Sequence, residues 1–160
     1  MRSAAAVFLL ALSLTLAACG GGGSGPSGPT GANLSLFAVE TISADGNAIA
    51  AWIADTPALQ SQGLMNATPE QLAPLGDGTP RGMLFVFATD LVPSFWMRDT
   101  YVPLDLAYIR SDGTIAEIHA LAPLDETLVP AGEPVRMALE VPAGTLSTLG
   151  VGVGDLVLRP

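Results

Sequence analysis

"YIRSDGTIAEI", residues 108–118, sets two alternating apolar runs on either side of an Asp-Gly pair. That dipeptide is the strongest short-range signal for a β-hairpin, because a two-residue type I′ turn needs positive φ at both central positions. A two-residue loop at Asp112-Gly113 predicts a register. Ser111 then faces Thr114, Ile109 faces Ala116, Tyr108 faces Glu117, Ala107 faces Ile118, Leu106 faces His119 and Asp105 faces Ala120. Side chains alternate with period two. One face carries Ala107, Ile109, Ala116 and Ile118; the other carries Leu106, Tyr108, Arg110, Ile115, Glu117 and His119. The first is the expected core face. Asp105 ends it and needs solvent, an Arg or backbone N–H groups, since an unpaired buried carboxylate is too costly to keep ionised. Arg98 is its nearest candidate cation in sequence.

Outward from the hairpin, apolar residues come in short runs divided by Gly, Pro and Asp, the pattern of a mainly β domain. Strands are expected at 34–40, 48–54, 83–87, 95–98, 104–110, 114–120, 136–141 and 156–158. Two short helices interrupt them. "DTPALQSQGLM" offers Asp55 or Thr56 as a cap, Pro57 at the first helical position and Gly63 as a stop. "GTLSTLGVGVGD" offers Thr145 as a cap and Gly150 as a stop.

The amino terminus reads as an address. Residues 1–18 have a short positive start at Arg2 and an apolar run of export-signal length, too short for a membrane span. Leu16-Ala17-Ala18-Cys19 resembles the bacterial lipobox, which makes Cys19 the first mature residue, lipidated at its thiol. The other reading is a plain secretory peptide with Cys19 left as a free thiol. Residues 19–33 hold the lipidated Cys and a Gly/Ser/Pro-rich tether, and residues 34–160 form a single domain. Gly20 after the Cys resembles the Gram-negative pattern routed to the outer membrane. The expected place is therefore the cell envelope, lipid-anchored and facing the periplasm.

Composition removes several functions. Past residue 18 the chain keeps five Arg and no Lys against 15 acidic residues. That balance weighs against nucleic acid, whose binding draws its affinity from basic groups releasing counterions. One Cys, placed for lipid, and one His leave no thiolate nucleophile and no His-pair metal site, so no metal and no cofactor is expected. A Ser-His-Asp triad remains open only through His119.

"GLM", "RGMLFVF", "FWMRDTYVPLDLAYIRSDGTIAEI", "PVRMALEVPAGT" and "GVGVGDLV", in that order, resemble the domain of unknown function 192 family across nearly all of residues 34–158. The resemblance implies a compact antiparallel β-sandwich or distorted barrel of jelly-roll type with two short helices, and no established activity. Gln60 and Gln62 stand where relatives tend to carry Arg, so this helix brings no cation to a site.

The polar crowding around residues 94–120 defines the candidate ligand-binding set: Trp96, Arg98, Asp99, Thr100, Asp105 and Glu117. Trp96 and Arg98 share a side of their strand, opposite Phe95 and Met97. Trp96 is either a stacking platform or core. Arg98, Asp99 and Asp105 form either a polar cleft or an ion-pair and turn-capping network, with Asp99 bonding Thr100 or Tyr101 N–H. Glu117 and His119 are an acid/base pair, two ligands of a weak metal site, or a solvated face. Glu140 is a second carboxylate for hydrolysis only if it approaches Asp105. The leading expectation is a monomer that binds a small polar or carbohydrate-like ligand near Trp96, Arg98 and Asp105. The alternatives are a carboxylate-dependent hydrolase, leaving enzyme status undecided, and a partner-docking lipoprotein without a small-molecule site.

Overall fold

The computed structural model describes residues 28–160. The export signal, Cys19 and the first part of the tether lie outside the described residues. Within them, Gly31 N–H donates to Asn66 O at 3.1 Å, and Ala32 exchanges bonds of 3.0 and 2.8 Å with the Gln71 side chain. The end of the expected tether is thus bonded to the domain. No helix of the described residues is long and apolar enough to cross a membrane.

A short 3₁₀ turn at Leu34–Leu36 leads into β1 (Ala38–Ala44) and β2 (Asn47–Ala54). Helices α1 (Pro57–Gln62) and α2 (Pro69–Leu72) follow, then β3 (Arg81–Leu91) and β4 (Ser94–Phe95). The chain continues through β5 (Leu104–Ile109), β6 (Ile115–Leu121), β7 (Val129–Pro130), β8 (Val135–Pro142), α3 (Thr145–Leu149) and β9 (Val157–Leu158). Seven strands form one sheet in the order β6-β5-β8-β3-β2-β1-β9, and β4 pairs with β7. The sheet curls until its ends meet: Thr114 bridges Leu156, Ile115 N–H donates to Asp155 O at 2.9 Å and Val157 N–H donates to Gly113 O at 2.8 Å.

The fold is mainly β, as expected, and takes the curled, half-barrel form of the two arrangements. One pair departs from the antiparallel rule. β2 and β3 run parallel, because parallel neighbours need a crossover and α1 and α2 supply it. α2 is a third helix, started by a capping box in which Thr68 and Gln71 satisfy each other's backbone N–H groups. At α1 the expected start holds: Thr56 caps Leu59 N, Pro57 opens the helix and Gly63 ends it at φ +49°. At α3 it does not. Gly144, at φ +82° and with no side chain to offer, stands at the cap position expected for Thr145.

The Asp-Gly turn also differs from its expectation. Gly113 has φ +88°, but Asp112 is not among the positive-φ residues. Gly113 N–H donates to Arg110 O at 3.0 Å, Arg110 N–H to Thr114 O at 2.9 Å, and the Asp112 carboxylate accepts from Thr114 N–H. This is a three-residue loop with a glycine bulge. The predicted pairs from Asp105 through Tyr108 hold, but Ile109 faces Ile115 instead of Ala116. Ile115 therefore joins Ala107 and Ile109, while Ala116 packs on the side of Tyr108.

Nor is there a single core face. Leu104, Leu106 and Tyr108 bury into one apolar layer and Ala107 and Ile109 into another. The curl encloses the second layer around Ile42, Ile49, Leu84, Leu139 and Val157, closed by Leu146 of α3. The first is covered by α1, α2 and the β4–β7 pair, with Phe37, Leu64, Leu72, Phe85 and Met97 filling it. Strand ends move accordingly: residues 34–36 coil as a 3₁₀ turn, and the strand expected at 95–98 stops at Phe95. There Asp99 adopts φ +51° and Met97 N–H turns to Asp125 O. β7 is too short for periodicity to announce.

Candidate functional site

Between α1 and the sheet lies a cleft of about 490 Å³. α1 and its exit give one wall, with Gln60, Ser61, Gln62 and Gly63. Phe85 and Phe87 of β3 and Glu140 of β8 line it from the sheet, while Phe95, Trp96, Thr100 and Leu128 complete it. Phe85 and Phe95 meet edge to face at 4.8 Å between centroids, and Phe95 meets Tyr108 at 5.8 Å. Gly63 ends α1 at φ +49°, a backbone conformation that favours glycine, beside the Phe85 ring.

Glu140 is placed by the sheet. It faces Met83 of β3 on one side and Leu106 of β5 on the other. Its residue exposure is 4%, yet its carboxyl lines the cleft and has no hydrogen-bond or ion-pair partner among the described residues. Burial penalises the charged form and raises its pKa to about 8. Gln60 sits across the cleft on α1; its amide N–H groups are spent on Ala54 O at 3.3 Å and Val86 O at 2.9 Å, which leaves its carbonyl oxygen as the acceptor.

The residues singled out from the sequence fall into two groups. Trp96 and Thr100 line the cleft. Phe95 packs against the core and Met97 is buried, so the predicted alternation holds. Trp96, 37% exposed, carries the Arg98 guanidinium 3.9 Å from its ring centroid, and Arg98 donates to Glu126 at 3.0 Å. One face of the expected stacking platform is therefore occupied by the chain's own cation. Asp99 engages through its backbone, accepting from Asn66 N–H at 2.7 Å. Thr100 Oγ1 donates to Arg98 O, and Thr100 N–H donates to Met97 O.

Asp105 and Glu117 stand elsewhere. Asp105 pairs across to Val141, one residue off the Leu106–Glu140 pair, so alternation puts its side chain on the opposite face from Glu140. Of the three partners open to it, it takes a backbone donor: Gly144 N–H, at 2.8 Å. Arg98 and Asp105 do not pair. Glu117 accepts from Gly132 N–H at 2.7 Å and meets His119 Nε2 at 2.9 Å, bonds that hold its pKa below the usual range, with the His119 bond the larger cause. Glu117 is on the face of Tyr108, so the sheet also separates it from Asp105. The pairs considered from the sequence, Asp105 with Glu117 and Asp105 with Glu140, are each split by the sheet.

Sequence reasoning did not place Gln60, Phe85 or Phe95 at the site and gave Glu140 only a conditional role beside Asp105. The available signal was "RMALEV", where one acid interrupts an apolar strand.

A curled mainly β domain with one aromatic cleft over a buried carboxyl is the class defined by this geometry. The chain matches the domain of unknown function 192 family, described as Uncharacterized ACR, over residues 39–158 and belongs to it. It is similar to a crystal structure from Sinorhizobium meliloti 1021 provisionally described as a transcription regulator, at 36% identity and TM-score 0.68, covering 77% of this chain and 95% of that one. It is also similar to a protein of unknown function from Novosphingobium aromaticivorans DSM 12444, at 30% identity and TM-score 0.69, covering 83% of this chain and 94% of that one. No curated protein matches the chain.

Proposed function

We propose that the domain binds a small polar ligand with an apolar flank, carbohydrate-like in that pairing, in the cleft between α1 and β8. The observation that carries this reading is the buried, unpartnered Glu140 carboxyl opening into an aromatic-lined space. A buried polar group without a partner is destabilising, and a ligand that bonds it relieves the cost. A cleft of about 490 Å³ lies in the range of ligand sites, which combine apolar walls with few polar groups. The expected cleft near Trp96, Arg98 and Asp105 is thereby moved inward: Trp96 stays, Arg98 borders it, and Glu140 takes the place given to Asp105. The formal charge of −9 weighs against carrying over the regulator description from the Sinorhizobium protein.

The test is a thermal-shift screen of small sugars, polyols, amino acids and amines against wild type and Ser61→Trp, which fills the mouth of the cleft. Compounds that raise the wild-type melting temperature and leave the variant unmoved support the reading. Equal shifts in both proteins, or none in wild type, overturn it.

We further propose that the domain works at the periplasmic side of the outer membrane, tethered through lipid on Cys19. Leu16-Ala17-Ala18-Cys19 after an apolar run supports this, and two or more chains suffice for stable anchoring. Labelled palmitate should enter the wild type in a Gram-negative host and be lost from Cys19→Ser; incorporation into both sinks it.

A further inference from the structure

Among the described residues the cleft is lined by aromatic rings, acceptors and the Ser61 and Ser94 hydroxyls, and by no cation. Glu140 is the one ionisable residue among the described residues that line it. Gln60 offers only its carbonyl oxygen, since both amide hydrogens are spent on backbone carbonyls. Gln62 commits one of its two amide hydrogens to Asn33 O at 3.3 Å. Phe85, Phe87, Phe95 and Trp96 line the same space with aromatic rings. Arg98 lies against Trp96 and is neutralised by Glu126.

Resting on the ligand-binding reading above, we infer that the cleft takes an organic monocation, an ammonium head on an apolar body, with Glu140 as its counter-ion. Aromatic surroundings with one acid recognise alkylammonium groups through cation–π attraction and a desolvated ion pair. An anion would meet the Gln60 carbonyl and, wherever it is ionised, the Glu140 carboxylate, both repulsive. The chain's charge of −9 further favours a positive ligand over a negative one.

Such a ligand needs Glu140 ionised, while in the free protein its pKa is about 8. Binding therefore releases a proton. The titratable groups on the elements around Glu140 are Tyr108 on β5, with Asp105 on that strand's opposite face, Glu117 and His119 on β6, Arg81 and Asp90 on β3, Arg136 on β8 itself, and Arg98, Asp99 and Tyr101 past β4; α1 contributes none. Tyr108 stays protonated, because burial, with Glu117 and Glu140 nearby, pushes its hydroxyl above its usual range. Asp90 is paired with Arg136, and His119 with Glu117.

The experiment titrates the full chain with benzyltrimethylammonium, a cation at every pH, and with benzyl alcohol, a neutral analogue of its ring. Binding is read by calorimetry and by the NMR signals of Phe95 and Trp96. The expected result is ammonium affinity that rises about tenfold from pH 7 to pH 9, as the ionised fraction of Glu140 grows. Glu140→Gln should abolish that rise and weaken binding at pH 9 by tenfold or more. If benzyl alcohol binds as tightly, or the ammonium affinity is flat with pH in wild type, the cation inference is overturned while ligand binding stands. If neither probe at millimolar concentration moves the Phe95 or Trp96 signals, both readings fail.

Discussion

The hydroxyl of Tyr108 donates to the carbonyl of Val129 at 2.5 Å, joining the middle of β5 to β7. β7 in turn pairs with β4, so this bond pins the segment that carries Phe95 against the sheet. Tyr108 has no exposed surface, and its ring also packs edge-on against Phe95 and His119.

Tyr108→Phe keeps the ring and strands the Val129 carbonyl. It should lower stability by about 1–2 kcal/mol, the cost of leaving one such group unmade. Urea unfolding reads the loss. A variant as stable as wild type would mean the bond does not hold the wall.

Glu140 makes stability depend on pH in a direction opposite to most carboxylates. Its folded pKa, about 8, stands above its ordinary value of 4.5, so between these values the native state holds a proton that the unfolded chain has lost. Stability from this group falls as pH rises across that window and is level above it. The span corresponds to on the order of 5 kcal/mol. Glu140→Gln should gain on wild type steadily from pH 5 to pH 8; a constant difference between the two would refute the buried acid.

Glu117 acts with the ordinary sign. Its folded pKa is lowered, so its contribution is present above the unfolded value and is lost as pH falls through the folded one. Glu117→Gln should narrow the loss of melting temperature between pH 5 and pH 3. An unchanged acid slope would show that its bonds to His119 and Gly132 add nothing.

Two glycines are required by contact. A Cβ on Gly82 would lie 2.7 Å from Glu140 O and from Val141 Cγ1, and one on Gly113 would lie 2.9 Å from Val157 O. Gly82→Ala forces β3 and β8 apart and should cost about 1–3 kcal/mol. Gly113→Ala adds strain at φ +88° and should cost about 1–2 kcal/mol while loosening the seam at Thr114–Leu156. Hydrogen exchange at Ile115 and Val157 distinguishes them: it should rise in Gly113→Ala before global unfolding.

Arg98→Ala removes a largely exposed ion pair and a stacked cation. Its stability effect should stay within about 1 kcal/mol, with the Trp emission shifted as the Trp96 face is bared. A loss of several kcal/mol would make Arg98 a structural residue instead of a border of the cleft.

How much of this was legible depends on the range of the contact. The register from Asp105 to Tyr108 and the caps of α1 followed from local chemistry: alternation, Asp-Gly, Thr56 and Pro57. The turn at Asp112 did not. A two-residue and a three-residue loop suit the same letters, and the segment Gly154–Val157, bonded to Gly113 and Ile115, accompanies the bulged form. Arg98 and Asp105, seven positions apart, were a reasonable ion pair by distance in sequence; the sheet instead gave them Glu126 and Gly144 N–H.

By itself the sequence determined the mainly β class, the helix at residues 57–62, the alternation that sets Trp96 and Arg98 opposite Phe95 and Met97, and the family to which residues 39–158 belong. These rest on periodicity, dihedral preference and capping, which act within a few residues. Only the tertiary structure decided which acid is buried. Glu140 and Asp105 each interrupt an apolar run, but the side chain of one lies beneath the α1 crossover and that of the other on the opposite face of the sheet. That assignment is made by the parallel β2–β3 pairing and the curl of the sheet, through contacts between residues tens of positions apart whose loop-closure cost and packing gain are not written in any local stretch.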